Sequence, residues 1–100
     1  MDKYNVKVTP RAFRDLDDIF NYIALEKLAP ENAFAQTERI RVALKKLEIM
    51  PRSHQDRQTG RYAGRGYKQL LVDNYVVIFK IDEKQRIVTV LTIQYQGRNL

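Results

Sequence analysis

One stretch of seven residues limits the folds open to this chain more than any other. From Tyr75 to Ile81 it reads Tyr-Val-Val-Ile-Phe-Lys-Ile, with Lys80 as its single charged residue. A strand that is apolar in both of its alternating side-chain directions has to be buried on both faces. The run therefore predicts a central strand, which needs strands beside it and another layer packed on the sheet.

Two more strands are predicted on either side of this run. Residues 67–72 precede it across Asp73-Asn74, two residue types that tolerate the positive φ of a tight turn. Residues 87–95 follow it after a polar turn at 82–86, and they are rich in β-branched side chains. Strict alternation predicts that one face of this last strand carries Ile87, Thr89, Leu91, Ile93 and Tyr95.

The first half of the chain predicts a short strand and a helix. Tyr4, Val6 and Val8 alternate with polar residues, and Thr9-Pro10 is typical of a helix N-terminus. The helix is expected to reach about Lys27, with acidic residues favoured in its early turns by the helix dipole. Its expected apolar stripe consists of Phe13, Leu16, Ile19, Phe20 and Ile23, and the early acids are Asp15, Asp17 and Asp18.

A second helix is predicted to begin at Pro30 and to end before Pro51. Its apolar stripe consists of Ala33, Thr37, Ile40, Leu44 and Leu47. Because the link between the helices is short, we expect an antiparallel helical hairpin. The predicted fold is α+β in the order β-α-α-β-β-β, with the hairpin packed on a mainly antiparallel, twisted sheet in a single domain over residues 1–100.

Charge is concentrated in the second half of the chain. Residues 1–50 hold nine basic and eight acidic residues, whereas residues 51–100 hold nine basic and four acidic ones. The excess favours an anionic partner, either nucleic acid or an acidic protein, although a solvated basic surface gives the same composition. With no cysteine, the chain has neither a disulfide scaffold nor a thiolate metal site.

Few residues suit catalysis, metal binding or cofactor binding. His54 is the lone histidine, and Asp15 and Asp18 have no further oxygen ligands nearby in the sequence, so we expect no metal site and no cofactor. The glycine-rich segment 60–66 does not have the spacing of a phosphate-binding P-loop. There is no apolar run long enough to span a membrane and no signal peptide, which favours a cytoplasmic protein without a membrane partner.

The remaining candidates are basic and aromatic side chains. Tyr62 and Tyr67 alternate with cations, and Tyr95 lies at the end of the last predicted strand. Arginine binds phosphate in a bidentate manner and tyrosine can stack on a base, but half-buried tyrosines and solvated arginines would have the same pattern. The candidate residues for binding a nucleic acid or another target are Arg57, Arg61, Arg65, Lys68 and Arg98.

Almost the whole chain resembles the RelE/ParE superfamily, the toxins of bacterial type II toxin–antitoxin modules. The acid-rich first helix at 10–19 is similar to that of the family, and so is the exit Leu47-Glu48-Ile49-Met50-Pro51. Gly66-Tyr67-Lys68-Gln69-Leu70, the apolar strand at 74–82 and the ending Tyr95-Gln96-Gly97-Arg98 also resemble family features.

The resemblance implies two modes of action. RelE-like members cleave mRNA on the ribosome without a metal, and here the implied catalytic set is Arg65, Lys68, Tyr95 and Arg98. ParE-like members inhibit DNA gyrase, and Val76, at a position where many nucleases carry arginine, favours this mode. An inactive binding module is the third hypothesis. In the first two modes the resemblance implies an acidic, partly disordered antitoxin that neutralises the toxin.

Overall fold

The computed structural model describes residues 3–96, and two helices pack there on one face of a four-stranded sheet. The elements are β1 (Asn5–Val8), α1 (Pro10–Asn21), α2 (Pro30–Lys46), β2 (Lys68–Val72), β3 (Tyr75–Asp82) and β4 (Ile87–Tyr95). The predicted α+β class and the order β-α-α-β-β-β are confirmed.

The sheet order β1-β4-β3-β2 places β3 in the interior, as the apolar run requires. Every residue from Tyr75 to Phe79 is buried. The strands β2, β3 and β4 pair antiparallel, while β1 pairs parallel to β4, so the sheet is mixed but mainly antiparallel. The two edge strands of the sheet are β1 and β2. The outer side of β2 is therefore open to pairing with the segment that precedes it.

A β-bulge in β4 makes the prediction of one continuous face wrong. Phe79 pairs with Val90 and Ile78 pairs with Thr92, which leaves Leu91 as an extra residue. An extra residue reverses the alternation, so the core contains Val88 and Val90 before the bulge and Ile93 after it. Because of the bulge, β4 presents apolar side chains to the helices on both sides of Leu91.

The first helix begins where the sequence predicts, but its buried stripe is shifted. The Thr9 hydroxyl oxygen accepts a hydrogen bond from the Ala12 backbone N–H at 3.1 Å, which is an N-cap. Ala12, Leu16 and Ile19 are buried at intervals of four and three, whereas Phe13 is 57% exposed because it lies about 100° around the helix from Ala12. The α-helix ends at Asn21 and continues as a π-helical turn over Tyr22–Glu26.

The second helix has the predicted buried stripe and a shorter span. Its five stripe residues are all buried, and Phe34 packs edge-on against Phe20 of α1 with ring centroids 4.9 Å apart. The helix ends at Lys46 rather than just before Pro51. Met50 then adopts a left-handed conformation (φ 54°), which turns the chain into a short 3₁₀ turn over Pro51–Ser53.

Candidate functional site

The basic segment of the second half lies along the outer edge of β2. The backbone N–H of Gln69 donates to the Gln55 carbonyl at 2.9 Å, and the backbone N–H of Arg57 donates to the Tyr67 carbonyl at 2.8 Å. Residues 55–57 therefore extend the sheet by one short antiparallel piece. This pairing fixes the start of the loop that carries Arg61 and Arg65.

Lys68 is occupied by contacts within the fold. Its Nζ donates to the His54 carbonyl at 2.9 Å and to Asp56 Oδ1 at 2.8 Å, and its side chain is 21% exposed. The His54 ring packs edge-on against Phe79, with centroids 5.8 Å apart. Burial, followed by the charge of Lys68, lowers the pKa of His54, so the neutral ring is favoured. The arrangement ties the loop to the core.

The three arginines of the segment differ in their contacts. Arg57 is anchored, because its Nε donates to the Thr59 carbonyl and its Nη1 donates to Gln69 Oε1. Arg61 and Arg65 are exposed in a turn that Gly60 and Gly64 enter with positive φ. Within residues 3–96, none of the three has a carboxylate within 4.0 Å. The turn therefore presents positive charge that internal acids do not neutralise.

Two tyrosines join this turn to the central strand. The rings of Tyr62 and Tyr67 meet edge to face at 5.1 Å, Arg61 lies 5.9 Å from the Tyr62 ring centroid, and Lys80 Nζ lies 5.4 Å from that of Tyr67. We call Arg61, Tyr62, Tyr67 and Lys80 the basic–aromatic strip. Lys80 was not among the residues that the sequence indicated, although it is the only charge within the apolar run.

Tyr95 lies at a different level of the sheet from Lys68. It pairs with Tyr75 and through it with Val72, whereas Lys68 pairs with Phe79 at the other end of β2. Lys68 and Val72 are four positions apart in β2, which is roughly 13 Å along the strand. The structure thus brings Arg57 to the start of β2, where Lys68 lies, and separates both from Tyr95. Arg98 lies outside the described residues.

Tyr95 instead borders a cleft of 610 Å³ beside the end of α1. Its ring packs against Tyr75 at 5.6 Å, and the cleft is also lined by Asp18, Tyr22 and Lys27. Burial raises the pKa of Tyr75, with smaller contributions from Tyr95 and Tyr22. A phenol whose pKa is raised stays protonated at neutral pH, so Tyr75 contributes aromatic contact area to the cleft rather than an ionised hydroxyl.

A second groove, of 680 Å³, lies between α2 and the edge strand β2. Its apolar lining includes four exposed side chains, Val42, Ile49, Met50 and Leu71. Arg39 and Gln36 of α2 reach across to Asp73, and these hydrogen bonds lower the pKa of Asp73. Beyond Gln69, the outer edge of β2 has no backbone partner among residues 3–96.

Two negative observations apply to the described part of the chain. Residues 3–96 hold no group of three or more His, Cys, Asp or Glu side chains that is arranged to bind a metal ion. The same residues contain no helix with both the length and the apolar character needed to cross a bilayer.

A family model, described as the ParE toxin of the type II toxin–antitoxin system parDE, matches residues 6–100. The chain belongs to this family of ParE toxins. Apart from Asn5, the match covers all the strands and helices, and thus the strip, the cleft and the groove. The resemblance to the RelE/ParE superfamily drawn from the sequence is confirmed.

Solved structures with the same fold come from both branches of the superfamily. A chain from the chromosomal ParDE system of Pseudomonas aeruginosa superposes with a TM-score of 0.75 and 21% identity, covering 95% of this chain and 98% of that one. A chain of the Mycobacterium tuberculosis RelBE2 toxin–antitoxin complex gives 0.63 and 22%, with 98% and 97% covered. A chain of the RelE–RelB complex of Pyrococcus horikoshii gives 0.65 and 17%, with 96% and 98% covered. A comparison with curated protein sequences returns no match.

Proposed function

We propose that this ParE-family chain arrests growth by binding DNA gyrase and that a cognate antitoxin neutralises it. One observation carries the choice of a binding mode over a nuclease mode: the strand register separates Lys68 from Tyr95 by four residue levels of the sheet. Cleavage of RNA by its own 2′-hydroxyl needs one group to remove a proton and another to supply one at the same phosphate. Such groups have to lie within hydrogen-bond reach of that phosphate.

The side chains around Lys68 also favour a binding mode over a nuclease mode. The ammonium group is held by Asp56 and the His54 carbonyl, and His54 accepts a proton less readily than an ordinary histidine. Arg61 and Arg65 can stabilise phosphate charge, but an arginine neither gives up nor takes a proton at neutral pH. The arginines of the loop are therefore suited to binding an anion rather than to transferring protons.

Purified toxin tests the proposed target directly. Added to gyrase, relaxed plasmid and ATP, it is expected to block supercoiling or to trap cleaved DNA, at a toxin concentration that leaves cell-free translation intact. The matched control is the Phe79→Asp variant, which carries an acid in the core. Cleavage of mRNA on ribosomes by the same preparation, together with unimpaired gyrase, would replace the proposal with the RelE-like nuclease. Inactivity in both assays would favour an inactive binding module.

The groove between α2 and β2 supports the proposed antitoxin partner. A segment that lies in it can add backbone hydrogen bonds to the open edge of β2 and can cover Val42 and Leu71. The chain carries a net charge of +6, which favours an acidic partner. Two of the similar solved structures are toxin–antitoxin complexes by description. The proposed antitoxin is therefore an acidic protein with a segment that orders on binding.

Glutamate substitutions in the groove test antitoxin binding separately from gyrase binding. We expect Val42→Glu and Leu71→Glu to abolish rescue by the co-expressed antitoxin while the toxin still stops growth. The matched control is Phe13→Glu, at an equally exposed apolar position on α1, which should be rescued like the unaltered chain. Full rescue of both groove variants would show that the antitoxin binds elsewhere.

A further inference from the structure

The basic–aromatic strip has the composition of a surface that holds a single polynucleotide strand. We propose that Arg61, Tyr62, Tyr67 and Lys80 bind single-stranded nucleic acid by combining phosphate contacts with base stacking. This inference is independent of the gyrase proposal, because it concerns a ligand that the purified chain binds alone.

The strip lies on the sheet face turned away from the helices. Leu70 and Val72 pack in the core under the helices, and so do Val77 and Phe79. Since strand side chains alternate, Tyr67 and Lys80 extend from the other face. On this face Val76 and Ile78 are buried, whereas Lys80 is exposed, and the neighbouring loop brings Arg61 and Tyr62 beside Tyr67.

Along the strip, a cation stands at each end of a pair of tyrosine rings, in the order Arg61, Tyr62, Tyr67, Lys80. Its two cations lie 5.9 Å and 5.4 Å from ring centroids, and the two rings are 5.1 Å apart. Neither cation has a carboxylate within 4.0 Å among residues 3–96. A phosphate can therefore meet a guanidinium or ammonium group while its base packs against a neighbouring tyrosine ring.

Lys68 helps to hold the strip in place but is not a member of it. Its ion pair with Asp56 stabilises the 55–57 piece that extends the sheet edge. Arg57 in that piece donates to Gln69, next to Tyr67. The platform is therefore ordered before a ligand arrives, which lowers the entropy lost on binding.

An acidic protein is the competing ligand for such a surface, and the rings argue against it. Carboxylates need the cations but gain nothing from the two tyrosine rings, whereas every base presents a π-face. A duplex hides its bases and likewise cannot use the rings. The strip is thus expected to prefer single strands over duplexes of equal length and over polyglutamate of equal charge.

Fluorescence anisotropy with labelled oligonucleotides of about 12 residues tests the proposal. Single-stranded DNA and single-stranded RNA are both expected to bind about tenfold more tightly than duplex DNA. Tyr67→Leu should weaken single-strand binding about tenfold, while Tyr67→Phe, which keeps the ring, should preserve it. Lys80→Gln should lower the salt dependence of binding by about 0.7 in log–log slope.

The control is Lys45→Gln, which removes the same charge from an exposed position on α2 and should change neither affinity nor salt slope. A stronger preference for RNA or for DNA would support the strip and identify its ligand. Three outcomes would overturn the proposal: Tyr67→Leu binding like the unaltered chain, duplex binding as tight as single-strand binding, or polyglutamate competing equally at matched charge.

Discussion

At the residue scale, Asp15 has a role that helix electrostatics did not predict. Its Oδ2 accepts hydrogen bonds from the Thr92 hydroxyl at 2.6 Å and from the Ile93 backbone N–H at 2.9 Å. The carboxylate therefore joins α1 to β4 just beyond the bulge, where the ladder is irregular. From its spacing in the sequence, Asp15 was grouped with the acids that the helix dipole favours. Its contact with Thr92 could not be predicted, because the two residues are 77 positions apart in the chain.

We predict that Asp15→Ala destabilises the fold by about 1–3 kcal/mol, because it leaves buried donors without an acceptor. Urea unfolding followed by circular dichroism measures the loss. Asp15→Asn keeps an acceptor oxygen and should lose less, and Asp17→Ala, at an exposed position on the same helix, should be nearly neutral. Equal losses for Asp15→Ala and Asp17→Ala would show that helix electrostatics, not these hydrogen bonds, sets the effect.

His54 gives the fold a predicted dependence on pH. Because its pKa is lowered in the folded state, the unfolded chain binds the proton more readily, and protonation favours unfolding. The contribution of His54 is fully present above the ordinary pKa of about 6.5 and declines as the pH falls below that value. We expect the free energy of unfolding to decrease between about pH 7.5 and pH 5.5, and to decrease less in His54→Gln. Identical pH profiles for the two proteins would rule out this linkage.

At the element scale, the strands explain both the success and the limits of prediction from sequence. An uninterrupted apolar run such as 75–79 can be stable only inside a sheet, so β3 was predictable. The bulge at Leu91 was not, because Val, Leu, Thr and Ile fit either face of a strand and their order does not show which residue is unpaired. The strip also depends on pairing between distant segments, so the sequence indicated Arg61 and Tyr67 but not Lys80.

Phe79 tests whether the β3 strand is as central as its burial indicates. We predict that Phe79→Asp abolishes cooperative unfolding, because an unpaired carboxylate replaces a fully buried ring. Phe79→Ala should fold but lose about 3–5 kcal/mol. The matched control is Leu71→Asp on the edge strand, where the side chain is 53% exposed, and it should remain folded. A soluble Phe79→Asp protein with a sharp thermal transition would contradict the interior position of β3.

At the scale of the whole molecule, a single hydrophobic core supports three surfaces that lie apart from each other. The cluster that includes Leu16, Ile40, Val77 and Val90 joins both helices to the sheet. The groove at the edge of β2, the tyrosine cleft at the end of α1 and the basic–aromatic strip surround that core on different sides. A chain of 100 residues can therefore present separate surfaces to an antitoxin and to a target. Composition favoured an anionic partner, whereas the separation of the surfaces depends on the register of distant strands.

For the whole molecule, we predict the order in which DNA synthesis and protein synthesis stop after the chain is induced in bacteria. If the chain acts on gyrase, incorporation of labelled thymidine should fall before incorporation of labelled amino acids, with an SOS response. Tyr95→Phe, which removes the hydroxyl of a residue that belongs to the implied nuclease set alone, should leave this order and the growth arrest unchanged. The Phe79→Asp variant should allow normal growth, because arrest requires the folded surfaces. If translation fell first and new mRNA 5′ ends arose on ribosomes, the cations of the loop would have to act on RNA, and the binding mode would be wrong.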